Sequence, residues 1–273
     1  MKKKLSISIL TIALSLLLFS SCKTKSKEKV QSTEKTEQVV KYTNCDDAHW
    51  EHKAGENGPE NWKNLCDGFS DCGGEIQSPI NIVTNEVSSN NKLSAFEFNY
   101  GSNTVDIINN GHTVQFNISG NNTMIIKDKE YTLLQFHYHA KSEHTINGNY
   151  SPIEVHFVHK HSDTDYAVIG VLFEEGEAYE LFSNYLADMP KTKGTFISEN
   201  KIELASLLPN NLSYYNYNGS LTTPPCTEIV NWYILQEPLQ ASKEQINKFS
   251  TILHNNYRPT LPLNDREVKS FNE

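Results

Sequence analysis

The stretch Gln135-Phe136-His137-Tyr138-His139 decides how the rest of the chain is read. Side chains of a β-strand alternate between its two faces, so in a strand His137 and His139 share one face while Phe136 and Tyr138 share the other. Two imidazoles then converge on one point. A zinc site that does chemistry commonly takes three protein ligands and keeps a fourth position for water, so the pair asks for a third imidazole. His156, in Glu154-Val155-His156-Phe157-Val158, is the candidate, because a neighbouring antiparallel strand would set it opposite the pair. Taken alone the pair is a weak signal, since a strand histidine is more often a hydrogen-bonded core or surface residue than a ligand.

Gln135, Glu143 and Glu154 sit in or beside apolar strand segments, where an unpaired carboxylate is costly. A metal-bound imidazole usually donates its second N–H to a carboxylate, amide or carbonyl that fixes its tautomer. Gln135 shares a face with His137 and Glu154 with His156, so each is placed to do this. Without a metal, Glu154 reads as a solvated strand residue.

Around this stretch the signals favour strands. Runs 105–108, 113–118, 123–126, 131–139, 153–159, 166–173 and 228–235 are rich in β-branched and aromatic residues, and Asn109-Asn110-Gly111, Ser119-Gly120-Asn121, Asp128 and Asn147-Gly148-Asn149 punctuate them as turns. Helices are few. Residues 177–188 carry apolar side chains at Leu181, Phe182, Tyr185 and Leu186, and Ser242-Lys243-Glu244-Gln245 reads as a capping box opening a second helix with Ile246, Phe249, Ile252 and Leu253 inward. The pattern predicts a mostly β domain: a large, mainly antiparallel twisted sheet with short peripheral helices.

At the amino end, Lys2-Lys3-Lys4 followed by the apolar run 5–19 and Ser20-Ser21 reads as an export signal over residues 1–21, too short for a transmembrane helix. Leu18-Phe19-Ser20-Ser21-Cys22 resembles a bacterial lipobox, which would make Cys22 the lipidated first residue of a mature chain, although Phe19 stands where a smaller aliphatic is usual. A plain secreted protein with a free Cys22 is the runner-up. Residues 22–43 are a polar tether that cannot bury enough surface to offset its ordering entropy, and residues 44–273 form one domain. The expectation is a protein of the periplasm or cell surface, held to the membrane only through Cys22.

The net charge of −9 argues against a nucleic-acid partner. With Cys22 lipidated, Cys45, Cys66, Cys72 and Cys226 remain, an even number in an exported chain, and spacing leaves all three pairings open.

These residues carry a resemblance that covers nearly all of the chain after Asn44. Asn57-Gly58-Pro59-Glu60-Asn61-Trp62, Gln77-Ser78-Pro79-Ile80-Asn81-Ile82, Asn109-Asn110-Gly111-His112, Gln135 to His139, Ser142-Glu143-His144-Thr145, Glu154-Val155-His156 and Gly219-Ser220-Leu221-Thr222-Thr223-Pro224-Pro225-Cys226 follow in the order of a bacterial α-class carbonic anhydrase, which the chain resembles. The resemblance implies one zinc ion on His137, His139 and His156, and reversible hydration of carbon dioxide to bicarbonate by zinc-bound hydroxide. It implies that Thr222 donates to Glu143 and aims the hydroxide, that Thr223 contacts bicarbonate, and that Val158, Val168, Leu221, Val230 and Trp232 line the carbon dioxide pocket. It makes His112 the proton shuttle, with Asn110 and Gln115 ordering the water chain, and it makes the Asn256 carbonyl the group that orients His139.

The family's Trp-x-Tyr reads Trp50-Glu51-His52 here, so its tyrosine is lost and His52 either substitutes in proton transfer or faces solvent. His144 and His159 match structural histidines, while His49, His161 and His254 read as surface residues. The resemblance pairs Cys72 with Cys226, which would brace the Thr222 loop, and so leaves Cys45 for Cys66; a homodimer is suggested by analogy alone. Two competing readings are an inactive binding module on the same fold, opposed by the presence of all three histidines, and a zinc esterase, opposed by a narrow valine-lined pocket.

Overall fold

The computed structural model describes residues 41–273 except Asn91. The expected export signal and Cys22, with nearly all of the tether, lie outside the described residues. No helix among the described residues is long and apolar enough to cross a membrane.

The strands that position the site are β1 (Ser102–Asn109), β2 (Val114–Ile118), β3 (Lys129–His139), β4 (Ile153–Ser162), β5 (Asp165–Glu175), β6 (Gly194–Glu203), β7 (Tyr214–Gly219) and β8 (Val230–Leu235). In space they run β6-β1-β2-β3-β4-β5-β8-β7 and continue through Lys269–Phe271 to Ser88–Ser89 in a sheet of 13 strands, so β3 and β4 are interior. Most pairings are antiparallel, as expected. The sheet is nonetheless mixed: β5 runs parallel to β8 and to Leu239–Ala241, and Lys269–Phe271 runs parallel to Ser88–Ser89. Parallel neighbours need a long connection, and the chain between β5 and β8 provides one that holds β6 and β7.

Register between β3 and β4 is set by their apolar face. Phe136 pairs with Phe157 and Tyr138 with Val155, and all of these are fully buried in the larger core. Burying each such ring stabilises the fold by roughly 2 kcal/mol, and a slip of one residue would move all of them to the other face. The same register places His137 directly opposite His156 and His139 opposite Glu154. The second face carries a smaller core of Ile80, Val168, Tyr217, Val230, Trp232 and Ile234, with the histidines beside it.

Helix α1 (Lys243–Leu253) covers the larger core, and its predicted capping box is present in full. Phe249 is buried, with its ring 4.9 Å from that of Tyr138. The helix expected over residues 177–188 is instead a 3-10 turn, Glu180–Asn184, with further turns after it. Tyr179 is held extended on both sides by the Gln245 side chain, which accepts from its N–H at 2.9 Å and donates to its carbonyl at 2.9 Å. That tie to α1 breaks the helical path, while Phe182, Tyr185 and Leu186 still reach the core.

The amino-terminal segment packs around Trp62 in a third cluster. Disulfides join Cys45 to Cys66 and Cys72 to Cys226, the two pairings the resemblance implied. Bridges of this kind belong to proteins folded in oxidising compartments. Tyr42 is already part of the cluster, its N–H donating to the Leu65 carbonyl at 2.6 Å.

Candidate metal centre

Three imidazoles meet on the second face of the sheet. One nitrogen from each of His137, His139 and His156 lies within 4.8 Å of the others. Which nitrogen is free follows from the partner of the other. His137 donates Nδ1–H to Gln135 Oε1 at 2.8 Å, His139 donates Nδ1–H to the Asn256 carbonyl at 2.6 Å, and His156 donates Nε2–H to Glu154 Oε1 at 2.8 Å. Nε2 of His137, Nε2 of His139 and Nδ1 of His156 therefore keep their lone pairs. His139 Nε2 is buried with no partner in the protein. An orphaned buried nitrogen is costly, and a metal ion is a partner that it could share with the free nitrogens of the other two rings.

Burial pushes the pKa of each of the three below the ordinary histidine value, that of His139 to about 4. The three imidazoles are neutral at neutral pH. Glu154, fully buried, is ionised: burial works against its charge, but His144 and His156 outweigh it. Its Oε2 also accepts the backbone N–H groups of Glu143 and His144 at 2.8 and 2.9 Å. The triplet His144, Glu154 and His156 also has metal-like spacing. Both rings already donate to Glu154 Oε1, so that triplet is a hydrogen-bond network and not a second metal pocket. It continues from His144 Nε2 to the Tyr217 hydroxyl at 2.6 Å and on to Ser78 at 3.0 Å, whose Oγ accepts the Ser220 N–H at 3.1 Å, linking the β4 histidine to the loop after β7.

Glu143 is completely buried beside the histidines, its Oε2 at 3.6 Å from His139 Nε2 and 3.9 Å from His156 Nδ1. Oε1 accepts the Arg258 backbone N–H at 2.8 Å. Burial raises the Glu143 pKa to about 7, against the pull of His156, the Thr222 hydroxyl and that N–H. Thr222 is buried in the loop after β7, which closes through Cys226 N–H to the Thr223 carbonyl at 2.8 Å. Val158, Val168 and Trp232 form a row across β4, β5 and β8, paired residue to residue, and Val230 and Leu221 pack against the same small core. Gly170, opposite His156, has no side chain because a Cβ there would lie 2.8 Å from Glu154 Oε1 and 2.7 Å from Ile234.

His112 stands on the turn between β1 and β2, half-buried, its ring stacked on that of Trp50 with centroids 3.8 Å apart. Burial lowers its pKa, and the nearby charges of Lys193 and His49 lower it further. Asn110 Oδ1 is taken up by the turn itself, accepting from the N–H groups of His112 and Thr113, and the Gln115 amide donates to Asn117. His52 does not face open solvent. It lies edge-on to Trp50 and Trp62, its Nε2 is buried without a partner, and burial, then the charges of His139 and His112, bring its pKa to about 3.

Arg258, which with Asn256, Tyr257 and Pro259 matches the family's Asn-x-Arg-Pro, has a role that the sequence does not reveal. It is 1% exposed, packs on the Trp62 ring, and donates to the Gln77 side chain, the Ser78 carbonyl and the Cys72 carbonyl. A single arginine between Tyr257 and Pro259 gives no periodic signal; only the three-dimensional gathering of carbonyls shows what it does.

Residues 57–272 match the family model for eukaryotic-type carbonic anhydrase. The chain is 41% identical to a carbonic anhydrase of Pectobacterium atrosepticum over 82% of its own length and 91% of that protein's. It is 42% identical to one of Neisseria gonorrhoeae, covering 81% of itself and 87% of the relative. Among solved structures, α-carbonic anhydrase from Thermovibrio ammonificans, in complex with the inhibitor sulfanilamide, superposes with a TM-score of 0.78 at 38% identity, covering 81% of this chain and 99% of that one.

Proposed function

The chain belongs to the eukaryotic-type, or α-class, carbonic anhydrase family, and from that premise we propose that it hydrates carbon dioxide to bicarbonate at a single zinc ion held by His137, His139 and His156. The observation that carries this reading is the hydrogen-bond direction at the three rings: each has one nitrogen committed to an acceptor, leaving three lone pairs facing one another. Three neutral imidazoles are the donor set that suits zinc and leaves its charge undiluted. Bound there, zinc would supply a Lewis acid strong enough to let water ionise near neutral pH, a property for which carbonic anhydrases are themselves the standard example.

The other residues orient and exclude. Gln135, the Asn256 carbonyl and Glu154 hold the three rings in register. Glu143, when ionised, can only accept, so the Thr222 hydroxyl turns its proton toward it and offers its own lone pairs to the reacting water. Thr223 is placed one residue on to meet bicarbonate. Val158, Val168, Leu221, Val230 and Trp232 give a small nonpolar substrate an apolar wall that holds the charged product weakly. His112 takes up the proton that hydration releases, with Asn110, Gln115 and His52 beside its path.

Stopped-flow carbon dioxide hydration by the purified protein, before and after chelation and after zinc restoration, tests the reading. Expected is an activity that chelation removes, zinc restores and sulfanilamide inhibits; a zinc-loaded, folded protein without activity would overturn it. The disulfides support export, and Cys22 lipidation is part of the same proposal, checked by mass spectrometry of the mature amino terminus.

A further inference from the structure

A cleft of about 420 Å3 opens beside His112, and its charge is opposite in sign to that of the protein. Lys53, Lys191 and Lys193 line it with His49, His112 and His254, and Glu51 is the only acid in its wall. The chain as a whole carries −9. Among the described residues none of these lysines makes an ion pair, as holds for several other surface lysines, so their charge is left to the cleft. Lys193 is laid across the turn that carries His112: a Cβ on Gly111 would stand 2.1 Å from its Cε and 3.1 Å from its Nζ. Gly111, at φ +92°, is the residue that permits both the turn and this approach. The lysine-bearing loop is tied to the same turn, the Asn109 amide donating to the Pro190 carbonyl at 2.8 Å.

Like charges gathered on one wall repel, and a bound anion relieves that repulsion. One face of the His112 ring is covered by Trp50, so its other face and its edge are what remain to meet the cleft. We propose that this cleft docks a small oxyanion of the inorganic phosphate class beside His112, and that the anion is the terminal acceptor of the proton His112 carries. In that step an N–H bond of the His112 imidazolium breaks and an O–H bond forms, so hydrogen phosphate leaves as dihydrogen phosphate and His112 returns neutral. The direction of transfer suits both partners, since an ordinary imidazole titrates within about a unit of a phosphate's second ionisation and burial, Lys193 and His49 lower His112 from that value. The proton-accepting half rests on the proposed hydration activity; the docking half does not.

The test has an equilibrium arm and a kinetic arm, both on the full chain. The His112 ring resonance is followed by NMR while inorganic phosphate, or bicarbonate as the other available oxyanion, is added at constant ionic strength. Phosphate should give a saturable shift, and the K191E/K193E pair should raise the half-saturating concentration by about tenfold. In the hydration assay, phosphate should reach its half-maximal effect at a lower concentration than imidazole, and the charge reversal should remove that advantage. If the double variant does not fold, Lys193→Gln serves in its place. A non-saturable shift, identical in the variant, would overturn the proposal, as would tighter saturation by bicarbonate than by phosphate. A saturable phosphate shift in a protein without hydration activity would overturn the proposed function and leave the docking site standing.

Discussion

Trp50 lies flat on His112, ring centroids 3.8 Å apart and planes within 12°. Burial is the first cause that lowers the His112 pKa, so Trp50→Ala should raise it toward the ordinary value near 6.5. NMR titration of His112 in the two proteins checks this. A fall in the variant would mean that the indole face stabilises the imidazolium more than burial opposes it.

Glu154→Gln keeps the shape of the side chain but removes the charge that His144 and His156 both face. The glutamine must turn its oxygen either to the two rings or to the two backbone N–H groups, and cannot serve all four donors as well as the carboxylate does. Zinc affinity should fall by about 10- to 100-fold, the usual scale for losing a ligand's hydrogen-bond partner. Competition with a chromogenic chelator measures it; an unchanged affinity would remove Glu154 from the centre.

The two disulfides close loops of very different length, with sequence separations of 21 and 154. In the chain-entropy model C45S/C66S should cost about 3 kcal/mol and C72S/C226S about 5 kcal/mol. Urea unfolding of the two double variants ranks them. The reverse order would show that native contacts around Trp62, not unfolded-state entropy, decide the effect.

His159 is fully buried and held neutral, its pKa lowered to about 4 by burial. In the unfolded chain it titrates near 6.5, so between those values the unfolded state binds the extra proton. Its contribution to stability is complete above about pH 6.5 and declines as pH falls toward 4. His159→Gln, which keeps a donor and an acceptor but does not titrate, should flatten the stability–pH curve in that window by up to about 1.4 kcal/mol per pH unit. Parallel curves for the two proteins, from urea titrations at successive pH values, would contradict this.

Much of this is legible in the amino-acid sequence, for reasons that differ by residue. His137, His139 and their aromatic neighbours were legible because alternation along one strand is a short-range rule. His156 needed a guess about strand pairing, which the register of β3 against β4 bears out. The resemblance named both disulfides, which spacing alone left open. What stayed hidden depends on contacts between distant segments. β6 reads poorly because it is an edge strand with most of its side chains exposed, and Tyr179 is straightened by Gln245, 66 residues away. Arg258 acts on Glu143 through its backbone N–H, a role that no side-chain motif can announce.

The Cys45–Cys66 bridge also decides where mechanical load goes. Tension applied at Tyr42 reaches the sulfur atoms at Cys45 and passes directly to Cys66, with the Tyr42 N–H to Leu65 hydrogen bond beside it. The intervening segment, which carries Trp50 and His52, is thereby shunted out of the line of force. Pulling on the chain from its amino side would load the Tyr42 hydrogen bond and the bridge first and leave the stacked pair of Trp50 and His112 unstretched.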